Sequence, residues 1–289
     1  MDLNWLRVLV AFADRGTVRA AATATGYTAS AVSGQLAGLQ RDIGVPLFER
    51  DGRRLRLTAA GSHLVTRARR ILADVEETRL QLSGGGAVAG TVRVAAYATL
   101  LATDVVPIAA QLADAHPDVR VELQEREPEE VTLLLRDNRV DVGFVYDYSL
   151  VPRWRPDRDT RYLCCDPMLL AVPAASPLTQ KDSTLEHAAW VVNSRGADDG
   201  ELARRACALQ GFVPDIRHYA DSLDIMTAMV AAGLGVALVP ALVSPHPGVV
   251  LRPYPGPPLR RRAYALTRPG RRLWPPATLI VDAVARRVA

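Results

Sequence analysis

Residues 28–36 read Thr-Ala-Ser-Ala-Val-Ser-Gly-Gln-Leu, and residues 44–50 read Gly-Val-Pro-Leu-Phe-Glu-Arg. In the first stretch Thr28 can cap a helix over 29–42 that turns Val32, Leu36, Leu39 and Ile43 to one side. Upstream, Gly26 can end a helix over 18–25 that begins after Thr17 and carries the small residues Ala20, Ala21 and Ala24. Further back, Leu6, Leu9, Val10 and Ala13 share a face of a helix over 3–13, widened by Trp5 and Phe12. Two short helices joined through a glycine turn form a helix-turn-helix. Downstream, residues 48–57 read as a hairpin turning at Asp51-Gly52, with Arg50, Arg53, Arg54 and Arg56 around it. A hairpin after three helices is a wing.

Past the wing, a helix over 58–82 carries Leu64, Ala68, Ile71, Val75, Thr78 and Leu82 at spacings of four and three. That seam suits pairing with a second copy; the alternative is one amphipathic helix lying on its own domain. Ser83-Gly84-Gly85-Gly86 has linker composition. Strands at 91–96, 119–124 and 140–145 then alternate with helices at 99–115 (bent at Pro107) and 129–136, the pattern of a mostly parallel sheet. A second series follows, with strands at 167–172, near 190–193, 216–219 and 236–239 and helices at 201–210 and 222–232. A strand at 262–267 and a helix at 276–288 close the chain. The expected division is 1–58, 59–83, 84–90 and 91–289. The last part is split into a first lobe of about 91–160 and 266–289 and a second of about 161–265.

Charge divides the same way. Residues 1–82 hold 12 arginines against 8 acidic residues, which accounts for the whole formal charge of +4. Segment 83–251 is acidic by 8 and 252–289 basic by 8, as expected if the closing strand and helix return to the first lobe. A basic module beside a neutral one suits nucleic acid plus a sensing unit. No run of 18 apolar residues suggests a membrane span, and the N-terminus has no signal-peptide pattern, so the expected location is the cytoplasm.

Enzyme signatures are missing. The glycines at 84–86 precede a strand and those of Gly233-Leu234-Gly235 follow a helix, the wrong order for a phosphate loop. The five histidines lack metal-ligand spacing, there is no Gly-x-Ser-x-Gly elbow, and Cys164-Cys165 are adjacent. Asp198-Asp199 and Glu129-Glu130 read as solvated helix starts. Neither catalysis nor a cofactor or metal is expected. For DNA, the candidates are Thr28, Ser30, Ser33 and Gln35 on the third helix and Arg50, Arg53, Arg54 and Arg56 on the wing. The alternatives are a plain N-cap for Thr28 and a solvated turn for the arginines. For a small effector, Thr99 at a helix start, Tyr146 after a strand, and Asn193 and Ser194 after another are the candidates. The helix start favours an anion.

These stretches together resemble the LysR-type transcriptional regulators over essentially the whole chain. The resemblance is carried by Ala20-Ala21-Ala22, the 28–36 stretch, Leu39, the 44–50 stretch and Leu57-Thr58-x-Ala60-Gly61. Asp141-Val142-Gly143-Phe144 and the run from Gly233 to Pro240 add to it. It implies an α/β protein with an N-terminal winged helix-turn-helix, a dimerising linker helix and a bilobed effector domain similar to type 2 periplasmic binding proteins. It further implies binding to interrupted inverted repeats in promoter DNA as a homodimer or dimer of dimers, contact with RNA polymerase, and DNA bending that answers to a small molecule. In the matching motif Ser33 and Gln35 face DNA, and a polar residue at the position of Thr99 touches the co-inducer. The chain departs from the family where Gln-Pro is replaced by Ala29-Ser30 and Arg by Gly34. Gly34 costs the helix up to ~1 kcal/mol. Cys207 resembles one partner of the peroxide-sensing cysteine pair, but Asp198 stands nine residues earlier, so that switch is not expected. The other reading is a cytoplasmic solute-binding or interaction module that does not read DNA.

Overall fold

A computed structural model describes residues 2–52, 54–82, 88–156, 159–180, 184–195, 197–268 and 271–288. Its first unit is built from α1 (Leu3–Arg15), α2 (Val18–Thr25) and α3 (Ala29–Ile43), then the hairpin β1 (Phe48–Asp51) and β2 (Arg54–Leu57). Each helix ends on a glycine at positive φ (Gly16, Gly26, Gly44), and each begins on a side-chain cap. The apolar faces of these helices meet in a closed core that includes Leu6, Leu9, Phe12, Val32, Leu36 and Leu39. Each such fully buried aliphatic residue contributes roughly 1.5–3 kcal/mol. Val10, Ala13 and Ile43, also expected inside, are half-buried and pack at its edge.

The wing is tied to this core locally. Leu47 and Phe48 donate their N–H groups to Oε1 of Gln40, at 2.9 and 3.3 Å, and Thr58 Oγ1 donates to the Pro46 carbonyl. A Cβ at Gly61 would stand 2.1 Å from the Leu47 oxygen, so the first turn of α4 (Ala59–Leu82) can press on the wing only with glycine there. Along α4 burial fades. Val65 and Ala68 lie in the core, Leu64 and Ile71 pack against it, and Leu82 is 84% exposed. Near the end of the core-packed part, Arg69 reaches two carboxylates, Asp14 of α1 and, at 3.4 Å, Asp137 of the following unit. The expected linker at 83–87 lies outside the described residues.

The second unit begins with β3 (Gly90–Ala96), which lies parallel to β4 (Val119–Glu125) and β5 (Val142–Tyr148). Between β3 and β4 runs α5 (Ala98–Leu100), a π-helical turn over Leu101–Val105, and α6 (Val106–Ala115). Pro107 has no N–H for the Thr103 carbonyl, and Arg287 takes that carbonyl instead at 3.2 Å. This helical run is long and apolar enough in composition to cross a membrane. It carries Asp104 and Asp114, however, and lays Leu100, Val105, Ile108 and Leu112 into the protein core.

The sheet is mixed rather than mostly parallel. Its order is β10-β6-β11-β5-β3-β4, with β9 also on β6, where β6 is Thr160–Pro173, β9 Ala237–Pro240, β10 Val249–Pro253 and β11 Arg260–Thr267. β11 runs antiparallel to both β5 and β6. The first half of β6 pairs with β11 and its second half with β9 and β10, so one 14-residue strand passes from lobe to lobe. The crossover points are therefore near 167 and 260, not 160 and 265. The second lobe adds the parallel pair β7 (Ala189–Asn193) and β8 (Asp215–Ala220), with α8 (Ala197–Ala208) and α9 (Leu223–Ala231). The closing helix α10 (Pro275–Val288) packs on the first lobe, as the charge imbalance suggests. Arg268 meets Asp141 at 2.8 Å, Arg262 meets Asp147 at 2.8 Å, and Arg287 meets Asp104 at 3.0 Å.

Candidate functional sites: a DNA-reading face and an interlobe cleft

On α3 the exposed residues are Ala29, Ser30, Ser33, Gly34, Ala37, Arg41 and Asp42. Thr28 is exposed but committed: its Oγ1 accepts from Ala31 N at 3.2 Å and lies 3.0 Å from Ser30 Oγ. It therefore acts as the N-cap in this structure. Gln35 is half-buried, and its Oε1 is buried with no hydrogen-bond partner. The expected display of Ser and Gln together is thus uneven, with Ser33 fully presented and Gln35 partly withdrawn.

Strand pairing also divides the wing arginines. Arg50 stands opposite Leu55 and Arg56 opposite Glu49, which places Arg50 and Arg56 on opposite faces of the hairpin. Both are exposed, and Arg56 contacts Asp51 at 3.0 Å. Arg53 lies outside the described residues; the backbone of Arg54 pairs with Asp51 in the ladder. Gln40, which fixes the wing against α3, was missed from sequence. The periodicity places it beside the core, but nothing local marks its amide as an anchor.

The second site is a cavity of about 390 Å³ between the lobes, within the range of small-ligand pockets. From the first lobe come Tyr97, Thr99, Glu127, Tyr146, Tyr148 and Arg261; from the second, Asn193, Asp199, Asp221, Asp224 and Ser244. Tyr146 lies within β5, not after it. Its ring packs edge-on to Tyr97 at 4.8 Å between centroids and beside Tyr148 at 5.5 Å. Tyr146 Oη donates to Glu127 at 3.0 Å, and Tyr148 Oη donates across the cleft to Asp199 Oδ1 at 2.9 Å. Thr99 Oγ1 accepts from Arg261 Nη1 at 3.0 Å, and the same guanidinium meets Asp166 at 2.9 Å. Asn193 ends β7 and holds Arg195 N at 2.8 Å; Ser194 is bonded to Asp221 outside the cavity lining.

Burial pushes the Asp199 carboxyl up to about 6 against the pull of the Tyr148 hydroxyl. It raises Glu127 as well, and it holds the Tyr146 and Tyr148 hydroxyls protonated. The helix start at Thr99 was expected to favour an anion. That helix is three residues long before its π turn, the Thr99 hydroxyl is occupied, and carboxylates dominate the lining.

Sequence reasoning reached Thr99, Tyr146 and Asn193 but not Tyr97, Glu127, Tyr148, Asp199 or Arg261. Asp199 was read as a solvated helix start because its partner Tyr148 is 51 residues away. Among the described residues no group of His, Cys, Asp and Glu is placed to hold a metal. All three cysteines are free thiols. Cys207 is fully buried, and burial pushes its thiol, like that of Cys164, up to about 11.

Comparison with known proteins agrees along the whole chain. Residues 3–62 match the family described as "Bacterial regulatory helix-turn-helix protein, lysR family", and residues 85–289 match "LysR substrate binding domain". The HTH-type transcriptional regulator YfeR of Shigella flexneri is 30% identical over 85% of this chain and 80% of its own. The DNA-binding transcriptional dual regulator OxyR of Escherichia coli K12 is 27% identical, covering 100% of this chain and 96% of its own. Among solved structures, full-length OxyR C199D from Pseudomonas aeruginosa superposes with a TM-score of 0.75 at 24% identity, covering 100% of this chain and 94% of that one.

Proposed function

The chain belongs to the LysR family of bacterial helix-turn-helix transcriptional regulators, and from that premise we propose how it reads DNA and receives its signal. Ser30, Ser33 and Gln35 of α3 meet base edges or phosphates in a major groove, with Thr28 holding the start of that helix. Arg50, Arg53, Arg54 and Arg56 neutralise phosphates on either side of the wing or enter the minor groove. The observation that carries this reading is the exposed hydroxyl face of α3 set beside a basic hairpin that Gln40 and Gly61 hold in place.

The protein acts as a homodimer through α4, whose distal half leaves its own core and exposes Leu82. Two dimers assemble on an interrupted inverted repeat and contact RNA polymerase in the cytoplasm. A small molecule enters the cavity between the lobes and shifts the population of two arrangements of the second unit, acting by differential binding and not by catalysis. Support for the cleft's role comes from its volume, its buried Tyr146, Tyr148, Glu127 and Arg261, and the strand β6 that both lobes share.

A band-shift measurement with the promoter region beside the protein's own gene, repeated at raised salt, tests the reading. Retarded duplex whose yield falls steeply with salt is expected. Absence of binding across promoter DNA, or indifference to ionic strength, overturns it.

A further inference from the structure

The carboxylates lining the cleft outnumber the cations that could neutralise them. Glu127 and Asp199 face the cavity from opposite lobes, with Glu125, Asp221 and Asp224 around them. Arg195 reaches Glu125 from the rim at 3.0 Å. The guanidinium in the lining, Arg261, is already spent on Asp166 and Thr99, and with Asp166 it forms a pair without net charge. Its Nε is buried without a partner, but that does not offset the remaining carboxylates.

Two further observations are independent of that count. Asp199, a lining residue, uses Oδ1 for the Tyr148 hydroxyl and leaves Oδ2 buried with no hydrogen-bond partner, an acceptor unmet inside the protein. The rings of Tyr97 and Tyr146 already hold one cation, with the Arg261 guanidinium carbon 4.9 and 5.4 Å from their centroids. An anion would have to approach Glu127, Asp199, Asp221 and Asp224 with no counter-charge to spare, Arg195 being paired with Glu125. A neutral apolar molecule would leave the Asp199 oxygen unmet.

Building on the effector role given to this cleft, we infer that its ligand is a small organic cation. A protonated amine sits between Asp199 and Glu127, and its carbon stem lies against the tyrosine rings. The ammonium donates to the carboxylates of Asp199 and Glu127, which the Tyr148 and Tyr146 hydroxyls hold in place.

Calorimetric titration of the full-length protein with n-butylamine, diaminobutane and butyrate, at matched ionic strength, tests this. Saturable heat is expected from an amine and none from butyrate. Asp199→Asn is expected to weaken the amine by roughly tenfold or more, and Glu127→Gln to weaken it as well. Asparagine keeps the shape of a side chain whose charge is already disfavoured by burial, and circular dichroism checks that both variants fold. Binding of butyrate in place of the amines, no binding by either amine, or amine binding equal in wild type and both variants overturns the inference. The band shift on the same preparation separates the two readings. Loss of amine binding with salt-sensitive DNA binding intact breaks only the cation assignment. Amine binding with no DNA binding breaks the regulator reading instead.

Discussion

At the DNA-reading end the polar groups stand in solvent, with Ser30, Ser33, Arg50 and Arg56 all exposed and the apolar work done beneath them. In the cleft the arrangement is reversed. Tyr146, Tyr148, Glu127 and Arg261 are buried, and their side chains bond to groups from distant parts of the chain. A long polymer whose phosphates can be met anywhere along a strip needs charge displayed on a rigid edge. A small molecule must be enclosed, so its partners have to be preset and dehydrated. The two sites should accordingly respond very differently to salt, to substitution and to pH.

Salt should produce the widest separation. With six to ten phosphate contacts across a dimer, DNA affinity is expected to fall by about 10³–10⁵ between low and near-physiological salt. The cleft, shielded from bulk ions, should change far less for its amine ligand. Fluorescence anisotropy for DNA and calorimetry for the amine, run over one salt series, would break the contrast if the two slopes agreed.

Gly61→Ala comes next. The added methyl meets the Leu47 carbonyl at 2.1 Å, so the DNA-binding unit should lose about 3 kcal/mol or more. Scanning calorimetry should show the transition of that unit lowered and that of the effector unit in place.

Ser33→Ala and Thr28→Ala then separate contact from cap. Thr28→Ala should cost about 1 kcal/mol of folding stability through its lost bond to Ala31. Ser33→Ala should leave the melting temperature alone and weaken operator binding by about 1 kcal/mol or more.

The effect of pH on the cleft should be smaller near neutrality. Burial holds the empty-site Asp199 carboxyl at about 6, in company with Tyr146, Tyr148, Glu127, Asp198 and Arg261. A cation prefers the ionised form, so amine affinity should stay level above that value. Below it, affinity should fall by up to about tenfold per pH unit as protons compete. In the free protein the raised value makes this group's share of stability decline as pH rises from the ordinary carboxyl range towards 6. Urea titrations at several pH values, with and without amine, would detect the difference.

The smallest expected change is in stability on Asp51→Asn. Its ion pair with Arg56 is 56–62% exposed, and pairs of that kind are worth well under about 1 kcal/mol.

The same contrast governs what could be read in advance. The helices of the first unit fall within two residues of their expected ends, because Thr17, Thr28, Gly16, Gly26 and Gly44 act on their own neighbours. The first half of β6 went unread. Residues 160–166 alternate in neither hydropathy nor burial, since that part of the strand is shielded unevenly on both faces. β10 was missed because five residues ending on a proline give too short a pattern. Mixed strand direction was hidden too, because periodicity identifies a strand without saying which neighbour it will lie beside. In the cleft, Thr99 was legible as a helix start, and Tyr146 as a residue following a strand, although it lies within β5. Asp199 acquires its meaning only from Tyr148 on the other lobe, a pairing that depends on the completed fold.

Arg69 gives the two units a common detent. Its guanidinium, 10% exposed, meets Asp14 in the last turn of α1 and Asp137, the residue that follows the helix Pro128–Arg136. Swinging the effector unit away from the stalk would withdraw Asp137 and leave a nearly dehydrated charge with one counterion in place of two. The molecule therefore has a preferred bearing between its halves, and any departure from that bearing is registered at the base of the first helix.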